Sequence, residues 1–105
     1  KIAFAWTSSA GGAADATTTE HFSGEILRLV TVPGTAGDQP TDLYDVVIND
    51  ADGTDVLMGA GANRSNASTQ QVLASSLGVV ANDALTLAIT NAGNAKSGTV
   101  YLYIR

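Results

Sequence analysis

Val100-Tyr101-Leu102-Tyr103-Ile104-Arg105 decides the fold, because its aliphatic residues recur at every second position. Successive side chains of a β-strand point to opposite faces. Val100, Leu102 and Ile104 therefore share a face directed at a core, and Tyr101, Tyr103 and Arg105 share the other. The same period runs upstream, where Leu85, Leu87 and Ile89 alternate with Ala84, Thr86, Ala88 and Thr90. At the opposite end of the chain Ile2, Phe4 and Trp6 alternate with Ala3, Ala5 and Thr7. Composition agrees: nine Val, five Ile and twelve Thr favour extended backbone, whereas the long helix formers number two Glu, two Lys, three Gln, three Arg and one Met.

Between these segments, further strands are expected over residues 17–22, 25–32, 43–49, 54–57 and 69–73, with a short apolar remnant at 78–81. Turn residues separate them: Gly11-Gly12, Ser23-Gly24, residues 33–40 between two prolines, Asp50-Ala51-Asp52-Gly53, the small-residue stretch 59–66, Asn82-Asp83 and residues 91–98. Residues 69–77 also accommodate one or two helical turns. Seven or eight short strands spaced about 8–12 residues apart describe an all-β chain, a single antiparallel β-sandwich of jelly-roll or immunoglobulin-like type. Nine Val, nine Leu, five Ile, six aromatics and one Met are enough for one core, so one domain over residues 1–105 is expected.

Two segments do not alternate cleanly. Glu25-Ile26-Leu27-Arg28-Leu29-Val30-Thr31-Val32 and Tyr44-Asp45-Val46-Val47-Ile48 are apolar on both faces. A strand with two apolar faces is usually covered on both, and the second cover would be a long loop such as residues 33–40 or another protein chain.

The charge pattern excludes several functions. Five Lys and Arg against ten Asp and Glu leave a net charge of −5, and the basic residues are scattered at Lys1, Arg28, Arg64, Lys96 and Arg105. There is no basic stripe to neutralise phosphates, so neither nucleic acid nor an anionic membrane is an expected partner. No apolar run approaches the roughly 20 residues that cross a bilayer as a helix. The chain has no cysteine, which removes disulfides, thiolate metal sites and thiol nucleophiles. It opens on Lys1-Ile2 without an apolar block and cleavage site, so no signal peptide is expected, and the missing initiator Met suggests that a leader or arm was removed or is not included in this sequence.

Catalytic constellations are scarce. His21 is the only histidine, and its neighbour Glu20 would point to the opposite side of a strand. No Gly-x-Ser-x-Gly or Ser-x-x-Lys occurs. Asp42, Asp45 and Glu25 are of the residue type that glycosidases pair, yet a chain of this size has little room for a deep cleft beside its core. The glycine-rich Gly59-Ala60-Gly61-Ala62-Asn63-Arg64-Ser65 lacks the Lys-Ser/Thr of a phosphate loop. No enzyme activity and no cofactor are expected. Asp50, Asp52 and Asp55 form a weak metal candidate, since oxygens on alternate residues suit calcium. The glycine comes too early for that pattern, no bidentate Glu follows, and Asp-Gly between strands is first a turn.

The C-terminal strand offers a contact surface. Tyr and Arg are enriched at the centres of protein interfaces and serve equally in sugar stacking. Tyr101, Tyr103 and Arg105, with Ile26 and Arg28 of the doubly apolar strand, are the interaction candidates.

Several phrases carry a resemblance. Phe22-Ser23-Gly24-Glu25-Ile26-Leu27-Arg28, then Tyr44-Asp45-Val46-Val47-Ile48-Asn49-Asp50-Ala51-Asp52-Gly53-Thr54-Asp55-Val56-Leu57, then Gly59-Ala60-Gly61-Ala62-Asn63-Arg64, and a closing hairpin over residues 85–105 with Asn91-Ala92-Gly93-Asn94-Ala95-Lys96-Ser97-Gly98, resemble small β-sandwich virion proteins of tailed bacteriophages. These are capsid decoration or cement proteins and related head or tail accessory proteins. The resemblance implies a non-enzymatic structural protein on the capsid exterior, with the major capsid protein or another virion protein as partner, and it is compatible with a homo-oligomer. A tail or neck component of the same virion is an alternative. A carbohydrate-binding or adhesin-like sandwich that stacks sugars on Tyr101 and Tyr103 is another.

Overall fold

The computed structural model describes all residues 1–105. Eight strands form: β1 Ile2–Thr7, β2 Ala14–Thr17, β3 Phe22–Pro33, β4 Asp45–Asn49, β5 Gln70–Leu73, β6 Val79–Asp83, β7 Thr86–Thr90 and β8 Ser97–Ile104. Two single 3-10 turns, Ala36–Asp38 and Ala74–Ser76, are the only helical pieces. The ambiguous segment 69–77 thus divides into a strand followed by a turn. Residues 17–22 are not one strand, because Thr18 hydroxyl donates to the Glu20 carbonyl at 2.9 Å and turns the chain between β2 and β3.

Every ladder is antiparallel. The larger sheet runs β1-β8-β3-β5, with β6 also on β3, and the smaller runs β2-β7-β4. Together they form a β-sandwich. No two strands consecutive in the chain are hydrogen-bonded to each other, since the chain passes to the opposite sheet between β1 and β2, β2 and β3, β3 and β4, β4 and β5, β6 and β7, and β7 and β8. Immunoglobulin-like sandwiches contain hairpins within a sheet, whereas this chain changes sheet at every step but β5 to β6, where both strands pair with β3 and not with each other, which is jelly-roll winding. The expected hairpin over residues 85–105 is absent for that reason: β7 and β8 belong to different sheets.

The apolar character of both faces of β3 has a local cause. Ile26 opposes Ile104, Arg28 opposes Tyr103 and Leu29 opposes Leu102, so Leu27 is an extra residue in a bulge. A bulge exchanges the inward and outward sets of side chains. Ile26 points inward before it, and Leu29 and Thr31 point inward after it, all with no exposed surface. Ile26 is therefore a core residue and cannot be a contact residue. β4, by contrast, keeps strict alternation, with Val46 and Ile48 buried and Val47 half-exposed.

One cluster of 17 buried apolar residues fills the space between the sheets. Phe4, Trp6, Leu29, Val100 and Leu102 contribute from one side, and Val46, Ile48, Leu87 and Ile89 from the other. Burying each such side chain contributes roughly 1.5–3 kcal/mol.

Residues 50–64 close one flank of the sandwich. The expected strand over 54–57 is instead a turn that touches β4 through a single bridge between Asn49 and Asp55. Val56 donates its N–H to the Ile48 carbonyl at 2.8 Å and accepts the Gly78 N–H at 2.9 Å, and Gly78 in turn accepts the Ile26 N–H at 3.1 Å. One residue thereby links the edge of the smaller sheet to that of the larger. Further along, Val46 N–H donates to the Gly61 carbonyl at 2.8 Å and Arg64 N–H to the Tyr44 carbonyl at 2.7 Å. The edge of β4 has no free run of backbone groups left to recruit another chain.

The core contains a polar exception. The Trp6 and Tyr44 rings lie 5.6 Å apart, and Trp6 Nε1, Thr31 Oγ1 and the Tyr44 hydroxyl are all buried without a formed hydrogen bond. Burial raises the Tyr44 pKa above its ordinary value, while nearby Thr31 and the Arg64 charge pull more weakly the other way. Because the ionised hydroxyl is disfavoured in the folded state, stability is unaffected by this group below about pH 10 and is lost as pH rises through the folded value. Tyr44→Phe is accordingly expected to flatten the alkaline fall in Tm and to raise Tm by a few degrees near neutral pH, because it removes an unsatisfied hydroxyl. Thermal melts of both proteins between neutrality and about pH 11 check this; parallel alkaline limbs would refute it.

Candidate functional site

The outer face of the larger sheet is built by register. Tyr101 sits opposite Ala3 on β1 and opposite Val30 on β3, and Val30 sits opposite Gln71 on β5. In the next row Tyr103, Arg28 and Leu73 follow one another across β8, β3 and β5. These side chains face outward because their strand neighbours Val100, Leu102 and Leu29 face the core.

The resulting surface is concave between β8 and β5. Arg28, Val30, Thr69, Gln71, Tyr101 and Tyr103 line an open groove of about 300 Å³ with Val30 at the centre of its floor. That volume lies at the lower end of the ~300–1,000 Å³ of small-ligand sites. A second concavity of about 260 Å³, lined by small and neutral residues such as Pro33, Thr35, Ala67 and Ser68, meets the groove at Thr69.

Both tyrosines are held by cations. Arg28 Cζ lies 4.2 Å from the centre of the Tyr103 ring, and Lys1 Nζ lies 4.9 Å from that of Tyr101. Such contacts are worth about 0.5–1 kcal/mol at exposed sites. Arg28 also donates to Gln71 Oε1 at 3.4 Å. Gln70, which also lines the groove, accepts the Ser65 N–H at 2.8 Å. The loop that delivers β5 is fixed in turn by Asp42, which accepts the Asn66 N–H at 3.0 Å, and by Asn66 Nδ2, which donates to the Pro40 carbonyl at 3.1 Å. The far wall of the groove is therefore braced by side chains from distant parts of the sequence.

Of the contact candidates, Arg28, Tyr101 and Tyr103 come together in the groove. Arg105 lies just beyond β8, with its backbone N–H and carbonyl exchanged with Glu25 at 3.0 and 3.1 Å. Lys1, Val30, Thr69 and Gln71 were not apparent as site residues in the sequence. Extending the alternation of β1 back by one residue would have placed Lys1 on this face. Thr69 and Gln71 carry no such signal, since only the pairing of β5 with β3 brings them there.

The acidic candidates are rearranged. Asp50, Asp52 and Asp83 have carboxylate oxygens within 4.8 Å of one another. Asp55 departs from the sequence-based set because its carboxylate is committed to backbone amides: Oδ1 accepts from Leu57 at 3.0 Å and Ile48 at 3.3 Å, and Oδ2 from Gly59 at 2.9 Å. Asp50 Oδ1 likewise accepts from the Asp52 and Thr54 amides at 3.0 Å. Both patterns are those of aspartates that shape turns. His21 is exposed in the turn between β2 and β3, not in a strand.

No family model matches the chain, and neither a curated protein nor a solved structure does so.

Proposed function

We propose that the protein is a non-enzymatic structural component of a virion, a capsid decoration or cement protein that attaches to the outside of the shell through the outer face of its larger sheet. The observation that carries this reading is the grouping of Tyr101, Tyr103 and Arg28 around one open groove on the outer face of the larger sheet. Tyr and Arg are the side chains that dominate binding energy where one protein surface docks on another. Jelly rolls are common among viral capsid domains, which accords with the resemblance to phage virion proteins. The major capsid protein is the proposed partner, and a tail or neck protein of the same particle would use the same surface.

The expected result with purified undecorated shells is co-sedimentation of the wild-type protein. Tyr101→Ser with Tyr103→Ser is expected to weaken it at least tenfold with an unchanged circular dichroism spectrum, since loss of one anchor residue commonly costs 2 kcal/mol or more, about thirtyfold. Equal binding by the double variant would overturn the assignment of the face.

The polar wall of Thr69 and Gln71 opposite Tyr101 favours a second reading, a carbohydrate-binding or adhesin-like module. Selective capture on a glycan array, lost in the same double variant, is its expected result.

A further inference from the structure

We propose that the groove is a receptor for an acidic segment of the shell protein, with an Asp or Glu carboxylate of that segment seated on Arg28. This deepens the docking reading above and rests on it. Three observations lead there.

The first is the distribution of charge. Lys1, Arg28 and Arg105 project on the outer side of the larger sheet, three of the five basic residues of the chain, and Glu25 is the one acidic residue among their strand neighbours out of ten in the sequence. A chain of net charge −5 thus presents one face of the opposite sign. An acidic partner is steered to that face and repelled by the others.

The second is the state of Arg28. Its guanidinium is stacked on Tyr103, which occupies its flat side and leaves the N–H donors along its edge. One of those donors reaches Gln71 Oε1 only at 3.4 Å, a long contact that a carboxylate readily displaces. A planar guanidinium already fixed by stacking offers a carboxylate two parallel hydrogen bonds at little further cost in side-chain freedom.

The third is size. About 300 Å³ over the Val30 floor admits one or two side chains of a partner segment. Val30 and the Tyr101 ring receive the aliphatic part of such a side chain, and Thr69 and Gln71 supply hydrogen bonds for the backbone beside it.

The test is co-sedimentation with undecorated shells over a series of salt concentrations, using wild type, Arg28→Lys and Arg28→Glu. Arg28 is half-exposed and outside the core, so both variants are expected to keep the wild-type circular dichroism spectrum, with Tm lowered in Arg28→Glu by no more than the few degrees that the lost Tyr103 stacking accounts for. Wild-type binding is expected to weaken steadily with salt. Arg28→Glu is expected to lose more than tenfold at low salt, Arg28→Lys to fall between the two, and the three curves to converge at high salt. Equal binding and equal salt dependence for Arg28→Glu would overturn the acidic-segment proposal while leaving shell docking intact. Absence of wild-type binding at any salt concentration would instead remove the docking reading itself. Competition by an oligogalacturonate but not by a poly-Glu peptide would overturn the proposal in favour of a glycan. Dimerisation of the wild type alone at low salt, abolished in Arg28→Glu, would overturn it in favour of a second copy of this chain.

Discussion

Gly61→Ala is expected to destabilise the protein by about 3 kcal/mol and to lower Tm by at least about 12 °C. A Cβ at this position would stand 2.2 Å from the Val46 carbonyl oxygen and 3.0 Å from Leu57 Cδ1. The close neighbour is backbone, so it cannot swing aside. The Gly61 carbonyl also accepts the Val46 N–H at 2.8 Å, which ties both partners to the same spacing. Relief of the clash must break that bond or push residues 61–64 off the edge of β4, and the flank of the sandwich opens. The measurement is a thermal melt followed by near-ultraviolet circular dichroism. A loss smaller than about 1 kcal/mol would mean that the flank yields easily and does not close the core.

Asp55→Ala is expected to cost a similar amount, about 3 kcal/mol, because three backbone amides lose a charged acceptor together. Asp55→Asn keeps the oxygen that serves Ile48 and Leu57 and gives up only the bond to Gly59, so its cost should be about 1 kcal/mol. Urea unfolding at constant m reads the difference. Amide exchange at Leu57 and Gly59 should accelerate more in the alanine variant than elsewhere in the chain. If alanine and asparagine cost the same, the carboxylate does not organise the turn through these bonds.

Strand identity was legible in the sequence where one face met the core and the other met solvent. β1, β7 and β8 alternate cleanly, and of the expected inward residues Phe4, Trp6, Leu85, Leu87, Ile89, Val100 and Leu102 are buried, whereas Ile2 and Ile104 at the strand ends are only partly so. The antiparallel sandwich was legible from those periods and the spacing of the turns. The bulge at Leu27 was not, because one inserted residue superposes two registers and makes a strand read as apolar on both faces. β2 was hidden by its size: Ala14 and Ala16 pack only as partly buried residues against the core and leave little hydropathy signal. At the candidate site, Tyr101, Tyr103 and Arg28 could be chosen from composition and parity. Their meeting with Gln71 depends on β5 pairing with β3 across forty intervening residues, which no local pattern encodes.

The winding of the chain also governs when the protein can exist. With no hydrogen-bonded pairs between successive strands, there is no local nucleus that could form early and wait for the rest. β8, which follows the other seven strands in the chain, lies between β1 and β3. Until it has left the ribosome, both of its neighbours lack a partner along one edge, and the larger sheet cannot be assembled. Folding should therefore be slow and all-or-none, completed only once β8 is available, and a chain stopped before Ser97 should yield no stable fragment. A subunit made this way arrives at its partner finished, with Tyr101 and Tyr103 placed on the surface by the same closing strand that completes the core.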